Sequence, residues 1–163
     1  MVCNGPVAVR YPRGRAQYGC DSFNNDPSGV ITHMTGEEAT LICYGPILEE
    51  AAVACRVLRG NGHCDDVDVT LLQLHSPTNF SREELASKVK GRHVFVVEEV
   101  CHGSGISGDI ALCLQDAGLD CVVHPVDLGN DFVPHGDMHS LYVQTGLYNG
   151  CIPSHIREVL RHE

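Results

Sequence analysis

Arg10 and Arg13 flank Tyr11-Pro12 at the end of a short apolar run, Val7–Val9, and an arginine at a strand end suits a phosphate or a carboxylate. A guanidinium is planar and offers two parallel N–H donors, which match a phosphate or a carboxylate. Pro12 has no N–H to give to a central ladder, so both arginines leave the strand where a ligand or a neighbouring surface could meet them. The plainer reading is surface ion pairing, because the chain carries 21 acidic against 11 basic residues, a formal charge of −10.

A second group lies at Gly103, Gly105 and Gly108, which match a G-x-G-x-x-G pattern, with Asp127 placed 19 positions beyond Gly108. Such a turn can set a dinucleotide's pyrophosphate on a helix N-terminus while the later acid holds a ribose. The match falls late in the chain, with too few residues after it for a second mononucleotide half. The plainer reading is that the glycines permit a tight turn and close helix–sheet packing. What remains is a possible anion site at Gly103, Gly105 and Gly108.

Other reactive residue types do not assemble. His135 and His139 with Asp137 between them resemble a ligand cluster, but the loop setting favours coincidence over a metal site. The nine cysteines include no C-x-x-C, and several sit in apolar runs (Cys43, Cys113, Cys121), as small buried hydrophobes do. Ser104 and Ser107 lie near His102 without a nucleophile elbow. No catalytic residue and no metal ligand is predicted.

The elements that must position these residues follow from periodicity. His93–Gln115 reads as a strand buried on both faces (Val94, Phe95, Val96, Val97), then the glycine turn, then a helix with Ile110, Ala111 and Leu114 inward. Glu98 and Glu99 mark the point where that strand leaves the core. Upstream, Val30–Thr32 suggests an edge strand and Ala39–Tyr44 a solid one. A helix follows with Pro46 at its first position, a stripe of Leu48, Ala52, Cys55 and Leu58, and Gly60 at its end. Val67–Leu74 is another strand. Ser81 with Glu84 forms a capping box, with Phe80 and Leu85 as a hydrophobic staple. Asp120–Asp127 is a further strand, 131–137 a loop, and Ser140–Gln144 and Ile152–Arg161 are helices.

The totals narrow the function classes. A chain of 163 residues with 43% hydrophobic residues suggests one globular domain. Its acidity argues against nucleic acid and anionic membranes. No apolar run reaches the ~20 residues of a membrane span, and no signal peptide is visible. The expected location is cytoplasmic.

Gly5–Gly14, GPVAVRYPRG, resembles the end of the pyrimidine-binding domain of 1-deoxy-D-xylulose-5-phosphate synthases, thiamine-diphosphate enzymes of the transketolase superfamily. The resemblance continues through VTLLQL, VFVVEEVCHGSGISGDIALCL, DFVPHG and GLYNGCIPSHIREVL, in order and over most of the chain. RYPRG and the F-V-P-H-G segment are its specific parts. The resemblance implies a three-layer αβα fold with a five-stranded, mostly parallel sheet and one antiparallel edge strand. It implies residues 1–14 as the last strand and tail of the pyrimidine-binding domain, 15–29 as a linker, and 30–163 as a transketolase C-terminal-type domain. By the same resemblance Arg13 contacts the substrate phosphate, while Arg10 is structural. The segment His75–Asn79 departs from the basic and aromatic stretch usual in the family.

The resemblance also shows what these residues lack. The superfamily's magnesium–diphosphate site needs Asp-Gly-Asp followed by paired asparagines, and no Asp-Gly-Asp occurs; Asn24-Asn25 is chance. The glutamate that protonates the aminopyrimidine ring belongs to a domain of which only the final strand could be present. The expectation is therefore a fragment that binds no cofactor by itself. In the complete enzyme, thiamine diphosphate and Mg are bound, the partners are the thiamine-diphosphate-binding and pyrimidine-binding domains, and the assembly is a homodimer. The competing readings are a stand-alone anion- or nucleotide-binding module and a domain that recruits a separate catalytic subunit.

Overall fold

The computed structural model describes residues 5–8, 26–60, 62 and 65–162. Among these residues five strands, β1 (Val30–Met34), β2 (Ala39–Cys43), β3 (Val69–Leu74), β4 (His93–Val97) and β5 (Val122–Val126), form one sheet in the order β1-β3-β2-β4-β5. Only the β1–β3 pair is antiparallel; β3–β2, β2–β4 and β4–β5 are parallel. Among the described residues five α-helices form, α1 (Leu48–Arg59), α2 (Arg82–Lys88), α3 (Ser107–Asp116), α4 (Met138–Thr145) and α5 (Ile152–Arg161).

The sheet carries two cores, one on each face, as a parallel sheet requires. Ala39, Leu41, Cys43, Phe95 and Val97 face α1 and α5. Ile42, Val94 and Val96 face the other way, toward Leu85 of α2 and Ile110, Cys113 and Leu114 of α3. Register makes the layers coherent: Leu41 is opposite Phe95, and Ile42 opposite Val96. The three-layer αβα architecture with an antiparallel edge strand is thus present as expected.

Two buried threonines clip loops to strand ends. The Thr40 hydroxyl donates to the Lys90 carbonyl (2.7 Å) and accepts from the Lys90 N–H (2.8 Å). Thr70 does the same with Gly36, at 2.7 and 2.8 Å. Gly36 has no room for a Cβ, which would lie 2.6 Å from the backbone of Asp68 and Val69.

Several local expectations shift. Gly45–Ile47 forms a 3-10 turn, so α1 starts at Leu48 and Pro46 sits in the turn before it. The capping box is half made: Ser81 Oγ accepts the Glu84 N–H (3.1 Å), but the Ser81 N–H donates to the Ser28 carbonyl. Glu84 instead pairs with Lys88 at 3.0 Å, one turn along. In α3 the buried positions are Ile110, Cys113 and Leu114; Ala111 lies at the margin, because the helix presents its i, i+3, i+4 stripe. The expected strand Val7–Val9 falls partly outside the described residues, and Pro6–Ala8 carry no strand.

Candidate functional site at the carboxyl ends of β4 and β5

Ligands of open α/β sheets gather beyond the carboxyl ends of the strands, and here that end is built around two consecutive glutamates. Glu98 does not leave the core: its relative exposure is 1%. Its N–H extends the β4–β5 ladder to the Val126 carbonyl (3.0 Å). Its carboxylate accepts the Tyr44 hydroxyl (3.0 Å) and the Ile106 N–H (2.9 Å) on Oε2, and the Ser107 N–H (3.3 Å) on Oε1. A buried carboxylate is tolerated only when such donors replace water. Glu98 also sits at the positive end of the α3 dipole.

This arrangement explains the glycine turn position by position. Gly103 has φ 75°, a left-handed conformation that favours glycine. A Cβ on Gly105 would collide with the Glu98 carboxylate, so the close approach needs hydrogen there. Gly108 faces open space. The negative charge at the start of α3 is thus supplied by the chain's own glutamate, which uses the Ile106 and Ser107 N–H groups.

Glu99 is half-buried and accepts the Tyr142 hydroxyl at 2.8 Å. Both phenols are held neutral. Burial, then the Glu98 charge and hydrogen bond, push Tyr44 up to about 12. Burial, then the bond to and charge of Glu99, push Tyr142 up as well. Neither tyrosine is singled out by sequence pattern, since Tyr44 lies 54 residues from its partner and Tyr142 43.

One further pair lies at this rim. His102 Nδ1 is 2.9 Å from Asp127 Oδ2, while Asp127 Oδ1 accepts the Gly129 N–H (2.9 Å). The His102 N–H donates to the Gly129 carbonyl (3.0 Å), and the Leu128 N–H to that of Val100 (3.0 Å), so the two loops are laced together. Asp127, the candidate ribose acid, is committed to this lacing. His102, Gly103, Gly105, Gly108 and Pro125 border a cleft of about 570 Å³.

The remaining candidates separate. Asp137 is the N-cap of α4, accepting the Ser140 N–H (3.1 Å) and hydroxyl (2.6 Å), and His139 packs edge-on against Tyr148 (4.8 Å). Among the described residues no group of three or more histidine, cysteine or acidic side chains could hold a metal ion. Burial pushes the Cys43 and Cys55 thiols up, Cys55 to about 12, which suits packing and not nucleophilic attack. No helix among the described residues is long and apolar enough to cross a membrane. Arg10, Arg13 and Asn24-Asn25 lie outside the described residues.

With this geometry in view, comparison with known proteins is decisive at one point: residues 29–150 match the model of the transketolase C-terminal domain. The chain belongs to that family. It is 28% identical over 98% of its length to a 1-deoxy-D-xylulose-5-phosphate synthase of Syntrophotalea carbinolica, covering 25% of that protein. With the synthase of Oleidesulfovibrio alaskensis it shares 30% identity over 98% of the chain and 26% of the relative. The chain thus spans about a quarter of the length of these relatives. Among solved structures, a split-gene transketolase, an inactive beta4 tetramer, superposes with TM-score 0.68 at 19% identity, over 83% of this chain and 43% of that one. A transketolase mutant of Pichia stipitis superposes with TM-score 0.59 at 16% identity, over 81% of this chain and 18% of that one. At such identities the structural likeness speaks for the fold.

The synthase relatives imply thiamine diphosphate and magnesium in the complete enzyme, and the donor set among the described residues of this domain does not fit that group. Glu98, Glu99 and Asp127 at the sheet's end are engaged by Tyr44, Tyr142, His102 and backbone N–H groups. No Asp-Gly-Asp stands in the sequence.

Proposed function

We propose that the chain is the C-terminal portion of a 1-deoxy-D-xylulose-5-phosphate synthase-like transferase that, when complete, joins a two-carbon unit from pyruvate to glyceraldehyde 3-phosphate. The observation that carries this reading is the extent of the similarity. It covers 98% of the chain, beyond the 29–150 segment of the family model and into the arginine-bearing stretch. In the complete enzyme the cofactor supplies the electron sink for decarboxylation. This portion supplies Arg13 as a clamp on the acceptor's phosphate, together with packing surface for the thiamine-diphosphate-binding and pyrimidine-binding domains of a homodimer.

A guanidinium–phosphate contact is charge-assisted, at about 1.5–3 kcal/mol. Substituting Arg13→Ala in the complete enzyme is therefore expected to raise KM for glyceraldehyde 3-phosphate roughly 10- to 150-fold, since about 1.4 kcal/mol is tenfold. Pyruvate decarboxylation without acceptor stays unchanged. An unchanged KM for the phosphorylated aldehyde contradicts the assignment of Arg13.

A further inference from the structure

Asparagine is followed by glycine at Asn4-Gly5, Asn61-Gly62 and Asn149-Gly150. At such a step the glycine nitrogen can close on the asparagine carboxamide, because no Cβ hinders the swing of the peptide between them. What distinguishes one step from another is whether that peptide is held. Asn4 and Asn61 lie outside the described residues, but Gly62 does not, and its N–H donates to Asp66 Oδ2 at 2.7 Å.

The peptide between Asn149 and Gly150 has no such tether. The two residues are the centre of a turn in which the Tyr148 carbonyl accepts the Cys151 N–H (2.8 Å) and the Ile152 N–H (3.1 Å). Both bonds pass over the peptide in the middle. Among the described residues no hydrogen bond is made by the Gly150 N–H, the Asn149 carbonyl or the Asn149 carboxamide. Pro153, four positions beyond Asn149, has no N–H to give to that carbonyl. Gly150 is exposed and Asn149 half-buried.

The flanks, by contrast, are anchored. Leu147 and Ile152 are fully buried on either side of the turn, and the Asn149 N–H donates to Glu50 Oε2 of α1 at 2.8 Å. A change of length or charge at position 149 is therefore passed to the start of α5 and to α1.

We propose that Asn149 is a site of spontaneous covalent modification, in which the Gly150 backbone nitrogen displaces the side-chain amide as ammonia. The Gly150 nitrogen gives its proton to water or hydroxide and bonds to Asn149 Cγ, the bond from Cγ to the side-chain nitrogen breaks, and a cyclic imide results. Water then opens the ring at one carbonyl or the other. The products are aspartate, or isoaspartate with the backbone rerouted through the side chain; nothing is oxidised or reduced. Either product sets a new carboxylate close to Glu50, and like charge there loosens the turn. The reaction needs water and no partner, so it holds whichever enzyme the chain completes.

The test is incubation of the chain in mildly alkaline buffer, with peptide mapping by mass spectrometry at intervals. Asn149 should convert about tenfold faster than Asn61, whose neighbouring N–H must first leave a charged acceptor. The unfolding midpoint should fall as conversion proceeds, and freshly made Asn149→Asp should start below the parent. Asn149→Gln, which would have to close a larger ring, should hold its midpoint through the same incubation. An intact Asn149 at a time when Asn61 has converted, equal rates at the two sites, or a midpoint that stays put while Asn149 converts would each overturn the proposal.

Discussion

Strands β4 and β5 lie side by side in one parallel ladder, yet they live in different environments. Every residue of β4 is buried, with helices above and below; in β5 only Val126 is. The difference begins in topology: β4 has a strand on each side, and β5 ends the sheet. It continues in composition. The Val122 N–H bonds to the Arg92 carbonyl, so alternate residues turn their N–H groups toward β4, and Pro125 places its missing N–H on the outer edge. A proline there removes a donor that could recruit a stray strand. The imidazoles of His93 and His124 meet across the pair at 3.0 Å, a polar contact at the margin of an otherwise apolar layer. The centre of the sheet thus fixes the fold, while its β5 edge stays partly exposed.

The contrast can be broken most visibly in the core. Phe95→Ala, at a fully buried position, should cost about 3–5 kcal/mol in denaturant unfolding. Val123→Ala on β5 should cost less than about 1.5 kcal/mol. Equal losses would erase the distinction between the two strands.

Next in size is the internal carboxylate. Glu98→Ala leaves the Tyr44 hydroxyl and two backbone N–H groups without their acceptor, at about 1–3 kcal/mol for a stranded buried group. Glu98→Gln keeps an acceptor and should recover part of the loss. If alanine and glutamine behave alike, the α3 start does not depend on this side chain.

Titration sharpens the comparison further. Tyr44 is raised to about 12 from an ordinary value near ~10. A raised value means its contribution is intact below pH ~10 and is lost as pH climbs toward 12; near-ultraviolet absorbance against unfolding midpoint checks it. Asp137, at the cap of α4, is shifted the opposite way by its hydrogen bonds to Ser140. Its contribution is present above ~3.9 and is lost as pH falls through the lowered folded value. The Ser140 amide resonance should report α4 fraying in acid while β4 amides stay unchanged. The smallest effect is expected at the rim: His102→Ala removes a half-exposed imidazole from the largely buried Asp127 carboxylate, which keeps the Gly129 N–H, and should cost about 1 kcal/mol.

Much of this organisation was written locally. The α5 bounds, Ile152–Arg161, follow from Pro153 in the first turn and the inward Ile156. The α1 stripe of Leu48, Ala52, Cys55 and Leu58 is buried throughout. What sequence pattern hides is the fate of Glu98. A charged residue after an apolar strand reads as an exit to solvent, and its burial depends on donors at positions 44, 106 and 107 that only the fold brings together. The same holds for the glycine turn, where the pattern resembles a ligand loop but Gly105 makes room for a side chain of the chain itself. Strand starts lie two residues inward at Val69 and Val122: the Val67 N–H is taken by the Leu58 carbonyl, and Asp68, Asp120 and Cys121 stay outside the ladder.

Under the function proposed above, this domain serves a thiamine-diphosphate enzyme without running its chemistry. The direct measurement is an assay of the chain alone with pyruvate, glyceraldehyde 3-phosphate, thiamine diphosphate and magnesium, following carbon dioxide release and 1-deoxy-D-xylulose 5-phosphate. The account predicts no release above the cofactor-only background. Stoichiometric, saturable turnover by the chain would contradict it.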